Sequence, residues 1–242
     1  MLSSPKCASA KMHSSSTTKP NHLLLIFIKE PTEKQAKPHL TKDLDPAEAA
    51  VRYKTLCQTL LHQLIGLTDT HVRFCISPVD ATEAVQFWLL PLLKGKIQQQ
   101  DTHLFHYTPN AHTPPLYIEF CPNTSENHKT SILLQQKIGF QQNFTTVTTI
   151  GTHCPECGSR WINASRLLCK TEADITIGLC QNNTPYLTTV RKPTYLHPSQ
   201  TLNSTLPKLT KVETHHDWLT LLDSPIGGKM RTQYNILTNK TI

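Results

Sequence analysis

"HLLLIFIK", residues His22 to Lys29, is a continuous apolar run that ends in a lysine. Side chains of a strand alternate between its faces, so an unbroken run marks a strand buried on both sides, as parallel sheets require. The run is strand-sized: far short of the ~20 residues of a membrane span, and too short for the apolar region of a secretory signal. A polar loop follows, Glu30 to Lys42, and then "DPAEAAVRYKTLCQTLLHQLIG". There Asp45 is placed to cap a helix, Pro46 suits its first turn, and Glu48 sits near the positive end of its dipole. Ala50, Tyr53, Cys57, Leu60, Leu61 and Leu64 recur at helical spacing, and Gly66 ends the helix. A buried strand followed by such a helix is the opening unit of an α/β fold.

The alternation continues. "HVRFCIS" reads as a second strand, and "PVDATEAVQFWLLPLL" as a second helix with Phe87, Trp88 and Leu89 toward the core. "THLFHY" reads as a third strand. The Pro-, Asn- and Thr-rich stretch from Thr108 to Lys129 has room for a short strand at "LYIEF". "TSILLQQKIGF" is helical and "FTTVTTIG" a β-branched strand. Ser159 to Thr171 is helical, "ADITIGLC" and "PYLTTVRKP" are strands, and "THHDWLTLLDS" is a short helix opened by a threonine. After Pro225 the sequence carries little signal. The pattern predicts an α/β, Rossmann-like fold, a mostly parallel central sheet flanked by helices on both faces. The chain divides into a disordered tail (1–20), a single domain (21–225) and a C-terminal extension (226–242).

Ligands of such folds bind beyond the carboxyl ends of the strands. That directs attention to the loop after Lys29, the loop after Ile150 ("GTHCPECGSRW") and the turn at Asn182. These segments resemble, in order, those of the bacterial GT-A-fold glycosyltransferase-like proteins of the radical-SAM/selenodomain-associated transferase type. "LLLIFIKEPTEKQAKPHL" is similar to that family's opening strand and Lys-x-Pro loop, with Lys37-Pro38-His39-Leu40 where the family has Lys-Thr-Arg-Leu. "TTIGTHCPE" is similar to a strand ending in Gly-Thr-Asp-Cys-Pro-Glu. "ADITIGLCQNNTPYLTTVRKP" stands where the family has a strand, an Asp-Gly-Gly-Tyr-Tyr turn and a strand ending near Arg-x-Pro. "KVETHHDWLTLL" resembles Val-Asp-Thr-Pro-Glu-Asp-Leu.

The resemblance implies a nucleotide-diphosphate sugar as ligand and Mn²⁺ or Mg²⁺ as cofactor. Its contacts would be Lys29, Lys37, His39, Thr152 and Asn182, with His153 meeting the metal. The motifs depart from the family's at points that matter chemically. His153 replaces a carboxylate, and a hard cation binds imidazole less well than carboxylate oxygen. Asn182-Asn183-Thr184 replaces Asp-Gly-Gly, losing a charge and both glycines. No glycine remains in the first loop, and the family's acidic Gln-x-x-Gly-Asp-Leu-Gly segment has no counterpart. Together these describe a transferase scaffold whose catalysis has decayed or been repurposed, with a non-catalytic nucleotide- or protein-binding relative as the alternative.

Cys154 and Cys157 have zinc-knuckle spacing and His153 adds a third donor, but a structural zinc needs four. Cys169 and Cys180 stand isolated in sequence, so zinc is disfavoured. His215-His216-Asp217 opens a helix and reads as a solvated start. The net charge of +7 favours anionic partners, yet no basic run interleaved with aromatics marks a nucleic-acid site. The eight cysteines, unevenly spaced and without a signal peptide, read as free thiols of a cytoplasmic protein.

Overall fold

The computed structural model describes residues 20–32, 44–110, 115–125, 127–171, 173–194 and 206–239. Strand β1, His22–Lys29, is buried along nearly its whole length. Leu24, Ile26 and Ile28 belong to a cluster on one face, with Tyr53, Cys57 and Leu60. Leu23 and Leu25 pack on the opposite face, against Phe144 and Val147. Each such aliphatic side chain contributes roughly 1.5–3 kcal/mol by leaving water. Helix α1, Pro46–Gln63, forms where expected: Asp45 accepts a hydrogen bond from the Glu48 N–H, and Pro46 occupies the first turn.

Strand β2 is Thr70–Ser77, and helix α2 is Thr82–Leu89. Ala81, Val85 and Leu89 face the core from this segment, whereas Phe87 is 81% exposed and Trp88 only half-buried. The expectation for Phe87 is therefore corrected: it lies two residues from Val85 and Leu89, half a helical turn away from the face they share. Strands β3, Lys96–Asp101, and β4, Leu104–Thr108, pair antiparallel. Strand β3 escapes a pattern search because "KIQQQD" is polar and exposed, as suits the sheet edge it forms. Strand β5 is Leu116–Pro122, helix α3 His128–Gln141 and strand β6 Thr146–Gly151. Helix α4, Ser159–Thr171, is followed by β7, Ile175–Leu179, and β8, Pro185–Val190.

The eight strands form one sheet in the order β3-β4-β5-β2-β1-β6-β8-β7. Its centre is parallel, with β1 between β2 and β6, and β5 beside β2. Both wings are antiparallel. The sheet is thus mixed rather than mostly parallel, because two hairpins send β4 and β8 back through it. Spacing shows β6, β7 and β8 but not that β8 returns between β6 and β7. Helices cover both faces, α1, α2 and α4 on one and α3 on the other.

Helix α5, His215–Leu222, starts with a reciprocal cap between Thr214 and Asp217. Beyond Pro225, where the sequence is uninformative, Gly227–Thr238 forms helix α6. Met230 and Ile226 pack with Trp218 and with Ala49 and Leu56 of α1. Gly227 makes this possible, since a Cβ there would stand 1.8 Å from the Leu222 carbonyl oxygen. No helix of the described residues is long and apolar enough to cross a membrane.

Candidate functional site

Beyond the carboxyl ends of β1, β2 and β6 lies a cleft of about 170 Å³, where the parallel centre of the sheet opens. Lys29, Thr152 and His153 all line it, so three of the residues singled out in sequence converge. Lys37 and His39 lie outside the described residues. Asn182 does not line this cleft: it sits exposed in the β7–β8 turn, where its Oδ1 accepts from the Thr184 N–H and hydroxyl. In the same turn Asn183 adopts φ +60° and accepts a hydrogen bond from Lys208 Nζ. The left-handed conformation that glycine would supply is therefore kept, by one of the few other residues that tolerates it. Set against the Asp-Gly-Gly of the family it resembles, the turn lacks the charge and the close approach.

The cleft also recruits residues that sequence reasoning passed over. Ser77 ends β2, and Asn123 follows β5, donating from Nδ2 to Ser77 Oγ at 3.0 Å. Both obey the strand-end rule that picked out Lys29 and Thr152, and a firmer reading of "LYIEF" as a parallel strand would have found Asn123. His128 is the first residue of α3, its ring edge-on to Phe27 at 5.0 Å. Burial, then the Lys29 ammonium, pushes the His128 imidazole below its ordinary pKa. Tyr53 reads from spacing as helix core, and it is buried, but its hydroxyl has a positioning role. It accepts from the Lys29 backbone N–H at 2.8 Å and from Thr152 Oγ1 at 3.3 Å, tying the ends of β1 and β6 together.

The electrostatics are one-sided. Lys29, His128 and His153 line the cleft, the positive end of α3 faces it, and none of the described lining residues carries a carboxylate. His153 folds back over Gly151: a Cβ on Gly151 would stand 2.5 Å from the imidazole Cε1. Its other neighbours are thiols. A ligand nitrogen of His153 and the Sγ atoms of Cys154 and Cys180 all lie within 4.8 Å of one another, with the two sulfurs 3.4 Å apart. Cys180, isolated in sequence, is thus beside Cys154, because the Leu206–Val212 strap binds the end of β7 to the His153 loop. Gln181 N–H donates to the Leu209 carbonyl and Val212 N–H to that of His153. The hydrogen bond with Cys154 lowers the Cys180 pKa against the opposing effect of burial, and Thr184 and Lys211 add to the lowering. Burial, then Cys180, pushes the Cys157 thiol up. None of the seven described cysteines forms a disulfide. Two sulfurs and a nitrogen suit a soft cation, whereas Mn²⁺ and Mg²⁺ prefer oxygen donors; the His153 site fits the hard cation poorly.

Comparison with solved structures places this geometry. A crystal structure of a Desulfovibrio desulfuricans G20 protein, provisionally named a nucleotide-diphospho-sugar transferase, aligns over 92% of this chain and 99% of its own, with TM-score 0.64 and 16% identity. The two share a fold. A Mycobacterium sp. strain JC1 homologue of a Mycobacterium tuberculosis protein aligns over 88% of this chain and 99% of its own, at 9% identity and TM-score 0.41. A CMP:2-keto-3-deoxy-manno-octonic acid synthetase solved with CTP aligns over 90% and 86%, at 10% identity and TM-score 0.31. Neither reaches the similarity from which a shared fold is argued. No family model matches the sequence, and no curated protein matches it. The chain is therefore a mixed α/β protein with a nucleotide-diphospho-sugar transferase-like fold.

Proposed function

We propose that the chain binds a nucleotide-diphosphate sugar in this cleft, on a glycosyltransferase-type scaffold that lacks the carboxylate-metal centre of an active transferase. The observation that carries the reading is the cleft's polarity: the Lys29 ammonium, two imidazoles and a helix N-terminus converge with no carboxylate among the described lining residues. A diphosphate supplies the missing negative charge. Lys29 Nζ pairs with a phosphate oxygen as a charge-assisted donor, joined by Lys37 from the following loop. Thr152, Ser77 and Asn123 offer hydroxyl and amide groups to sugar or phosphate oxygens. Tyr53 fixes the spacing of Lys29 and Thr152. The resemblance adds His39, outside the described residues, and Asn182 from the β7–β8 turn. No chemical step is assigned to a hard cation, because the donors around His153 do not suit one.

The test is thermal denaturation with UDP-, GDP- and CDP-sugars, each with and without Mn²⁺. At a hundred times the dissociation constant, binding raises the melting temperature by about 5–10 °C. The reading expects a rise for one nucleotide class that does not need Mn²⁺, with no donor hydrolysis. No rise with any donor would overturn it, and a rise that requires Mn²⁺ together with donor turnover would instead mark an active transferase.

A further inference from the structure

The geometry points to a binding site for one thiophilic d¹⁰ cation, Zn²⁺ or Cu⁺, held by Cys154 Sγ, Cys180 Sγ and His153. The argument rests on placement and donor chemistry, and stands independently of nucleotide binding. The three donor atoms come from two distant parts of the chain yet lie within 4.8 Å of one another. Two thiolates on a tetrahedral zinc with Zn–S bonds of about 2.3 Å stand roughly 3.8 Å apart. The two sulfurs here are 3.4 Å apart, so metal entry asks only a small separation. Both cysteines are buried while His153 is half-buried at the cleft wall, which leaves a path for the ion.

The backbone around the site is also fixed. Cys180 N–H donates to the Thr184 carbonyl, the Leu206–Val212 strap hydrogen-bonds to Gln181 and to His153, and Thr210 N–H donates to Glu156. Cys157, the other half of the apparent knuckle, is not one of the three. The site is thus formed across β6 and β7 and not within the Cys-x-x-Cys sequence. On binding, any thiol proton on Cys154 and Cys180 passes to solvent and the imidazole donates from a neutral nitrogen. A three-ligand set leaves a fourth position for water.

The test uses the full chain, purified reduced and metal-free, dialysed separately against Zn²⁺, Cu⁺ and Mn²⁺, with bound metal measured per chain. One equivalent of Zn²⁺ or Cu⁺ is expected, and the tighter arm identifies the ion. Co²⁺ titration should give thiolate-to-metal charge-transfer absorption, which reads ligation without any substitution. Loss of one direct ligand should weaken binding by on the order of 100-fold or more, beyond what outer-shell changes cost. That is expected for Cys180→Ser and for the half-buried His153→Ala, while Cys157→Ser keeps the ion. Less than stoichiometric Zn²⁺ and Cu⁺, absence of a thiolate band with Co²⁺, or preference for Mn²⁺ would each overturn the proposal. So would dependence on Cys157 with indifference to Cys180, which would restore the knuckle.

Discussion

Strand β1 begins at His22 and ends at Lys29, and the polar groups at its two ends are organised in opposite ways. Near the starting ends of the strands, polar side chains are locked to one another. His22 Nδ1 meets Thr146 Oγ1, and Asp69 approaches the other ring nitrogen at 3.7 Å. Beneath α3, Arg73, only 2% exposed, donates to Glu119 at 2.6 Å and to Gln142 at 2.8 Å, while His71 meets the same carboxylate at 2.8 Å. At the finishing ends, the Lys29 ammonium and the imidazoles of His128 and His153 line a cleft whose described lining carries no carboxylate. Interlocked charge serves the fold, and on the proposed reading the charge at the cleft serves a ligand. The contrast predicts that substitutions at one end change stability and at the other change binding.

The largest effect should come from Glu119→Ala. It strands Arg73, a buried cation, and removing one partner of such a pair costs about 3–5 kcal/mol. Chemical denaturation should show the loss in the midpoint. A change below 1 kcal/mol would mean that Gln135 and Gln142 alone satisfy the guanidinium, and the contrast between the two ends would weaken.

Acid titration tests the same end without substitution. Burial, then the Arg166 and Lys170 cations, holds the His22 imidazole down at about 4, with Asp69 opposing. An unfolded histidine titrates near 6.5. Between these values the unfolded chain binds more protons, so stability falls as pH drops from about 6.5 to about 4. Burial pushes Glu119 up, but hydrogen bonds from His71 and Arg73 outweigh it and hold the carboxyl at about 2. Its contribution is complete above the unfolded value near 4.3 and is lost as pH falls toward 2. Two successive acid losses are therefore expected. His22→Gln should remove the His22 share of the first, worth up to about 3 kcal/mol, leaving the share of His128, which burial also holds down, and the second loss. A single transition below pH 4 in both proteins would sink the assignment to His22.

Lys29→Ala is the corresponding change at the cleft. Lys29 is exposed, so stability should stay within about 0.5 kcal/mol. Loss of a charge-assisted hydrogen bond of about 1.5–3 kcal/mol should weaken nucleotide-diphosphate binding some 10- to 100-fold, read by calorimetry. Unchanged affinity would move the diphosphate elsewhere.

How much of this was legible in the sequence depends on whether the signal is local. The buried run at β1, the Asp45 and Thr214 caps and the strand ends at Lys29 and Thr152 are written in neighbouring residues, and all of these are observed. Strand β3 was hidden because an exposed edge strand needs no apolar alternation. Helix α6 was hidden because its burial depends on α1, far away in the chain. Cys180 and His128 belong to their sites only through the order in which strands assemble. No spacing rule connects Cys154 with Cys180 across a helix and a strand, and Tyr53 shows its hydroxyl role only once Lys29 and Thr152 are beside it.

Gly151→Ala should give only a small change in stability, and it examines the boundary between the two ends. Gly151 closes β6 and pairs with Phe27 in the parallel register, so its backbone belongs to the sheet. Its missing Cβ, however, is occupied by the His153 ring, with Cε1 and Nδ1 at 2.5 and 2.6 Å from where a Cβ would stand. The methyl group must displace either the strand or the imidazole. The strand is hydrogen-bonded on both sides, whereas the ring turns about two side-chain bonds, so the ring is the part that yields. The expected cost is about 1 kcal/mol, at the low end for an inserted methyl group. The larger consequence is a His153 moved away from the two thiols, with weaker Zn²⁺ or Cu⁺ uptake and unchanged Lys29-dependent nucleotide affinity. Should Gly151→Ala cost 3 kcal/mol or more, the His153 loop would be braced as firmly as the Arg73 network. The polar end of β6 would then belong with the interlocked half of the molecule.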